Sequence, residues 1–240
     1  MSFSLRNVSL ALLISVVVPG ITFADDAAKL FNGKDLKGWI KRGGDATYRV
    51  DNGEVVGTSA PNTSNTFLCT PKEYGDFELE YDFKIADPDF NSGVQIRSHH
   101  RPEQREVHPG GYNIEEQRVY GYQVEIDPKV ERAWSAGIYF EGGSKDKDGK
   151  PLRKAGWLND LSKNEAARKA FKLGEWNHIK VVAKGNHLQT WINGVPAADF
   201  TDTDEKGFVP KGLIALQVHA VGSKTDKKEI RWKDITIKEL

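Results

Sequence analysis

The chain has only one cysteine, Cys69, so no intramolecular disulfide can staple it. Stability has to come from burial, and 240 residues are enough for a large core. Neither sign of charge is in excess, because 34 Lys and Arg balance 34 Asp and Glu. No basic block is interleaved with aromatics either, which removes the electrostatic support for a nucleic-acid partner. Long apolar runs are scarce. The most conspicuous, Leu10 to Val18, is too short to span a hydrocarbon core of about 30 Å, so no transmembrane segment is expected in the mature chain. With Arg6 before it and Thr22-Phe23-Ala24 after it, the run reads as the core of a signal peptide over residues 1–24. No Cys follows it to take a lipid, and export to the periplasm or the exterior is expected. Residues 25–240 are then read as a single domain.

What the chain does have is glycine, tryptophan and alternation. Six Trp and 23 Gly beside ordinary aliphatic content suggest many short strands joined by tight turns. Phe77-Glu78-Leu79-Glu80-Tyr81-Asp82-Phe83 alternates over seven residues, the period of a strand with one buried face. Two hairpins are expected at Asp51-Asn52-Gly53 and Asn193-Gly194, because Asn-Gly suits the positive φ angles of a type I′ turn. Ile179 to Ala183, Leu213 to Val218 and Ile230 to Ile237 add strands. Trp39, Trp176 and Trp232 are expected in the core. One short peripheral helix is expected, with a capping box at Ser162-Lys163-Asn164-Glu165, helix formers from Ala166 to Phe171 and a stop at Gly174. Residues 98–120 and 141–156 read as long loops, the second as a solvated insertion. The whole points to an all-β, two-sheet sandwich of jelly-roll type, whose wider sheet would curve and present a polar face.

Three strand segments put unusual residues on their polar side: Val94-Gln95-Ile96-Arg97, Val124-Glu125-Ile126-Asp127 and Leu216-Gln217-Val218-His219. A plain solvated sheet face would show Lys, Thr and Ser. Gln95, Arg97, Gln123, Glu125, Gln217 and His219 are instead hydrogen-bonding and titratable groups, and side by side they would make a site. Several chemistries lack their motif. Glu125 and Asp127 share a face, but Lys129 stands where a two-carboxylate glycosidase strand would carry its third acid. Asp87, Asp89 and Asn91 are followed by Ser92 and Ser98 where a calcium loop needs Gly and Glu. No paired Cys/His spacing indicates zinc and no G-x-S-x-G indicates a serine nucleophile. No cofactor is indicated, and a divalent metal ion held by distant residues is left open.

Eight ordered motifs carry a resemblance. They are Leu30-Phe31-Asn32-Gly33-Lys34-Asp35-Leu36-Lys37-Gly38-Trp39, Asn91-Ser92-Gly93-Val94 with Arg97, and Gly121-Tyr122-Gln123-Val124-Glu125-Ile126-Asp127. Gly137-Ile138-Tyr139, Gly174-Glu175-Trp176-Asn177, Trp191-Ile192-Asn193-Gly194, Leu216-Gln217-Val218-His219 and Trp232-Lys233-Asp234-Ile235 complete the set. In this order they resemble the 3-keto-disaccharide hydrolase family from about residue 28 to the end. The resemblance implies a concanavalin A-like lectin/glucanase sandwich and lyase, hydratase and hydrolase chemistry on 3-keto-glycosides.

That chemistry needs one base, one oxyanion stabiliser and one leaving-group acid, since a C3 ketone acidifies the hydrogen on C2. His219 is the expected base, its ordinary pKa of about 6.5 lying near working pH. Glu125 would hold its tautomer or exchange roles with it. Arg97 either stabilises the oxyanion or pairs with Glu125 or Asp127. Tyr139 would protonate the leaving group, Gln95, Gln123, Gln217 and Asp127 would bind substrate, and Trp157 would stack on a sugar ring. The rival expectation is a glycan-binding module on the same sandwich without catalysis.

Overall fold

The structure is a computed structural model that describes residues 27–101, 117–129, 131–146 and 148–240. The expected signal peptide and the part of the 98–120 loop holding Pro102, His108, Pro109, Gly110 and Gly111 lie outside the described residues. In chain order the first strands are β1 (Ala28–Lys29), β2 (Ile40–Gly43), β3 (Thr47–Asp51), β4 (Glu54–Thr58), β5 (Thr66–Tyr74) and β6 (Phe77–Ile85). β7 (Ser92–His100), β8 (Val119–Ile126), β9 (Ile138–Glu141), β10 (Ser144–Lys145), β11 (Pro151–Arg153) and β12 (Gly156–Asn159) follow. Helix α1 (Glu165–Ala170) precedes β13 (Trp176–Lys184), β14 (His187–Ile192), β15 (Val195–Thr201), β16 (Gly212–Val218) and β17 (Glu229–Glu239).

Two antiparallel sheets stack as a sandwich. One has eight strands in the order β15-β14-β13-β6-β17-β4-β3, with β1 beside β17; the other has seven, β12-β9-β8-β7-β16-β5-β2. Between them lies the main core, to which β6 contributes Phe77, Leu79, Tyr81, Phe83 and Ile85 on strictly alternate positions. Each such side chain contributes roughly 1.5–3 kcal/mol by leaving water. From the other sheet, Val94 and Ile96, Tyr122, Val124 and Ile126, and Ile214, Leu216 and Val218 face the same core. Parity therefore turns Gln95, Gln123, Glu125, Asp127 and Gln217 to the outer face of the seven-stranded sheet. The narrower sheet, not the wider one, carries the polar set.

The Asn-Gly hairpins form as expected, with φ of +51° and +82° at Asn52 and Gly53 and +49° and +80° at Asn193 and Gly194. β17 holds Trp232 and Ile235 on one face despite their opposite parity, because a bulge at Asp234, φ +50°, resets the phase. Among the tryptophans, Trp232 is in the core and Trp39 packs against it. Trp176 faces outward between the ammonium groups of Lys84 and Lys233, since it is out of phase with Ile179. The helix begins two residues later than its capping box predicted. Asn164 is the N-cap, accepting from Ala167 N at 3.1 Å, while Ser162 is engaged by Asp160. Residues 141–156 are not merely solvated: β10 and β11 pair, and Arg153 clamps the hairpin to Asp202 with contacts of 2.6 and 2.7 Å. Among the described residues no helix is long and apolar enough to cross a membrane.

Candidate functional site

A cleft opens on the outer face of the seven-stranded sheet, in two lobes of about 240 and 260 Å³ that share Asn91, Arg132 and His219. The first lobe adds Gln123, Glu125, Tyr139, Glu141 and Trp157; the second adds Asp127, Lys129, Lys224 and Lys228. β8 supplies Gln123 and Glu125 and β9 supplies Tyr139 and Glu141, each pair two residues apart and so on one face. His219 follows the end of β16 directly.

Glu125 is the electrostatic centre of the first lobe. Its Oε2 accepts from Gln123 Nε2 at 2.6 Å and its Oε1 from Asn91 Nδ2 at 3.2 Å. Burial pushes its pKa up to about 8, helped by the nearby charges of Glu141 and Asp127 and opposed by the Gln123 hydrogen bond and Arg132. At neutral pH it therefore keeps its proton. Behind it, Gln95 donates to Gln123, and Ser98 Oγ donates to Gln95 Oε1 at 2.8 Å. Gly93 makes this possible, because a Cβ there would stand 2.5 Å from the Gln123 side chain lying across it.

His219 Nδ1 is 2.7 Å from the carbonyl oxygen of Ala220. In the neutral imidazole that contact places the proton on Nδ1 and the lone pair on Nε2. Glu125 thus has no part in fixing the tautomer, contrary to expectation. Tyr139 and Trp157 meet edge to face at 5.4 Å, and Trp134 meets Trp157 edge to face at 5.0 Å. Burial raises the Tyr139 pKa, with Glu141 and Glu125 adding to it, so the phenol stays protonated. Asp127 is fully buried beside Arg132, Oδ2 to Nε 2.8 Å, although the N–H is not directed along that contact.

Arg97 is not in the cleft. A bulge in β7 puts Arg97 at φ +43° and shifts the register against β8, which turns the side chain away from the Gln95 face. Its guanidinium, wholly buried, bonds Gly75 O at 2.7 Å, Gly185 O at 2.5 Å and Asp76 Oδ1 at 2.8 Å. Arg97 does pair with a carboxylate, but with neither Glu125 nor Asp127. Gln95 and Gln217 are on the expected face yet fully buried, Gln95 within the amide chain and Gln217 with no hydrogen bond to either amide atom from the described residues. Neither lines the cleft. Phe67, Cys69, Val119, Leu213 and Ala215 form a second apolar cluster on this same face, which is why it is not simply solvated.

Asn91, Arg132 and Glu141 were missed as cleft residues. Glu141 was legible, being two residues beyond Tyr139 on one strand. Arg132 was not, for it sits on a loop without periodicity whose path is set by Arg168 of α1, which donates to the carbonyls of Arg132 at 2.6 Å and Glu131 at 2.9 Å. Asp87 and Asp89 form a surface turn closed by Asp89 N on Asp87 Oδ1 at 2.8 Å. Among the described residues, no group of three or more His, Cys, Asp or Glu side chains is arranged to hold a metal ion.

Solved structures share this architecture. A "putative glycosyl hydrolase" from Parabacteroides distasonis superimposes with a TM-score of 0.57 at 21% identity, over 93% of this chain and 98% of that one. The carbohydrate-binding module CBM66 from Bacillus subtilis gives 0.53 at 13% identity, over 84% and 96%. A Bacillus subtilis protein of unknown function with a galectin-like fold gives 0.54 at 13% identity, over 85% and 90%. At these identities the likeness is one of fold, a galectin- or lectin-like sandwich. No curated protein sequence matches the chain. Residues 26–238 match the 3-keto-alpha-glucoside-1,2-lyase-like domain, as the ordered motifs had implied, and the chain belongs to that family.

Proposed function

We propose that this protein is an exported enzyme that cleaves 3-keto-glycosides by elimination followed by hydration, so that the net change is hydrolysis. One observation carries the reading: an imidazole with its Nε2 lone pair available and a buried carboxyl protonated at neutral pH line the same lobe. In this reading His219 Nε2 removes the proton from C2, and the C–H pair is held as the enolate of the C3 ketone. Collapse of the enolate forms C1=C2 and breaks the bond from C1 to the leaving oxygen, which takes the Glu125 proton. Water then adds across the double bond, OH to C1 and H to C2. Arg132, the guanidinium of this cleft, takes the oxyanion role expected of Arg97, and general acid–base help of this kind contributes roughly 10²–10⁴ in rate. Tyr139 is a second hydroxyl donor, and Trp157 with Trp134 offers an aromatic wall to a sugar ring. Family membership and the carbohydrate-related names of the similar structures support a carbohydrate-active role.

The test gives purified protein a 3-keto-glucoside and its parent glucoside in D₂O, with and without chelator. Release of the aglycone from the keto sugar alone, with deuterium at C2 of the hydrated product, is expected. Binding of unmodified oligosaccharide with no turnover of the keto sugar at any pH would replace the enzyme reading by that of a binding module. Chelator sensitivity would add a metal ion to the reaction. Export is tested separately, by the N-terminal sequence of protein recovered outside the cytoplasm, expected to begin near Asp25.

A further inference from the structure

Asn65 stands just before β5, buried, and both ends of its amide are used, one on a residue lining the first lobe and one on a residue lining the second. Its Nδ2 donates to Glu141 Oε1 at 3.2 Å, and its Oδ1 accepts from the backbone N–H of Ala220 at 2.8 Å. Ala220 is the residue whose carbonyl meets His219 Nδ1. Both His219 and Ala220 lie past the last residue of β16, so no ladder bond of that strand holds them. Asn65 is itself pinned through its main chain: Gly44 N donates to its carbonyl at 3.0 Å, and a Cβ on Gly43 would stand 2.5 Å from that oxygen. Glu141, the other partner, also receives Arg118.

We propose that Asn65 is the positioning residue of the cleft. It anchors Ala220 so that the carbonyl stays against His219 Nδ1, and it fixes Glu141 relative to that imidazole. Asn65 lines neither lobe of the cleft. Its effect passes through His219, because the nitrogen that carries the proton is set by the hydrogen bond the ring makes. The inference rests on the proposed function only where turnover is read; its structural half does not need turnover.

The test follows the imidazole directly. The 15N spectrum of histidine-labelled protein, with the His219 signals assigned by their loss in His219→Gln, is expected to show an Nδ1–H tautomer. Asn65→Ala should convert this to a mixture richer in Nε2–H and lower kcat about tenfold, with KM changing less. Asn65→Asp keeps the acceptor for Ala220 N–H and should retain the wild-type tautomer while losing the donor to Glu141. A folded Asn65→Ala protein with the wild-type imidazole spectrum overturns the proposal. If Asn65→Ala fails to fold, Asn65→Leu decides, because it keeps the bulk and removes the acceptor for Ala220 N–H: a shift toward Nε2–H supports the proposal and a retained tautomer overturns it. A changed spectrum in a protein that turns over no keto sugar would keep the positioning role and sink only the reaction.

Discussion

Replacing Arg97 separates stability from chemistry. The side chain is wholly buried and its guanidinium joins the turn between β5 and β6 to the turn between β13 and β14, through Gly75 O, Asp76 Oδ1 and Gly185 O. Asp76 also receives Gly185 N–H at 3.0 Å, so the two turns share one clamp. Truncating a buried ion pair costs about 3–5 kcal/mol when the partner stays dry. Here Asp76 is 41% exposed and can rehydrate. Arg97→Ala is therefore expected to cost about 2–4 kcal/mol, from lost packing and the donor taken from two carbonyls. Arg97→Lys should cost roughly half as much, because one ammonium cannot reproduce the planar fork toward three acceptors. Backbone strain adds a signature: at φ +43°, Arg97→Gly should be no less stable than Arg97→Ala, the reverse of an ordinary strand position. Urea unfolding followed by tryptophan fluorescence measures this as a lowered midpoint at unchanged slope. Below the transition, kcat/KM on a 3-keto-glucoside should stay within about twofold of wild type. An Arg97→Lys protein with the wild-type midpoint and a loss of more than about tenfold in kcat/KM would show that this guanidinium belongs to the reaction.

Glu125 carries the pH dependence. The basic limb of the rate profile should fall as it ionises near pH 8, and Glu125→Gln should lose that limb together with at least about tenfold in kcat. Because its folded pKa is raised from 4.5 to about 8, the stability it contributes is fully present below 4.5 and is lost as pH rises through about 8. Glu125→Gln should then gain stability relative to wild type over that window, seen in melting temperatures, and equal slopes for both proteins would refute the buried proton. At Asp202, burial alone would raise the pKa, but Arg153 and the Tyr122 hydroxyl hold it below its ordinary 3.8. Its contribution is present above that value and lost as pH falls through the depressed one, so Asp202→Asn should be less stable at pH 7 and show a flatter acid-unfolding curve. A wild-type acid curve would mean that the bridge to the β10–β11 hairpin contributes nothing. Trp157→Ala should raise KM about tenfold with a smaller change in kcat, and steady-state kinetics with the sugar ring truncated would show whether stacking is what was lost.

Much of the fold was legible because its signals are local. The alternation of Phe77 to Ile85 needs only the two-residue period of a strand, and Asn52-Gly53 needs only the steric freedom for positive φ. The same parity found Gln123, Glu125 and Tyr139 for the cleft and had Glu141 within reach. Parity fails where a bulge intervenes. The bulge at Arg97 carried the residue nominated as the oxyanion stabiliser out of the site, and the one at Asp234 let Trp232 and Ile235 share a face that counting denies them.

The sequence by itself determined a two-sheet β-sandwich, its turns, its family and most of the side chains on the functional face. Only the tertiary structure decided which of those side chains remain open to a ligand, which are sealed beneath it, and which guanidinium lines the cleft. The physical reason is that alternation and turn chemistry act over a few residues. Arg132 enters the cleft on a loop held by a distant helix, and His219 is oriented by the carbonyl of Ala220, a residue that Asn65 secures from 155 positions away in the chain.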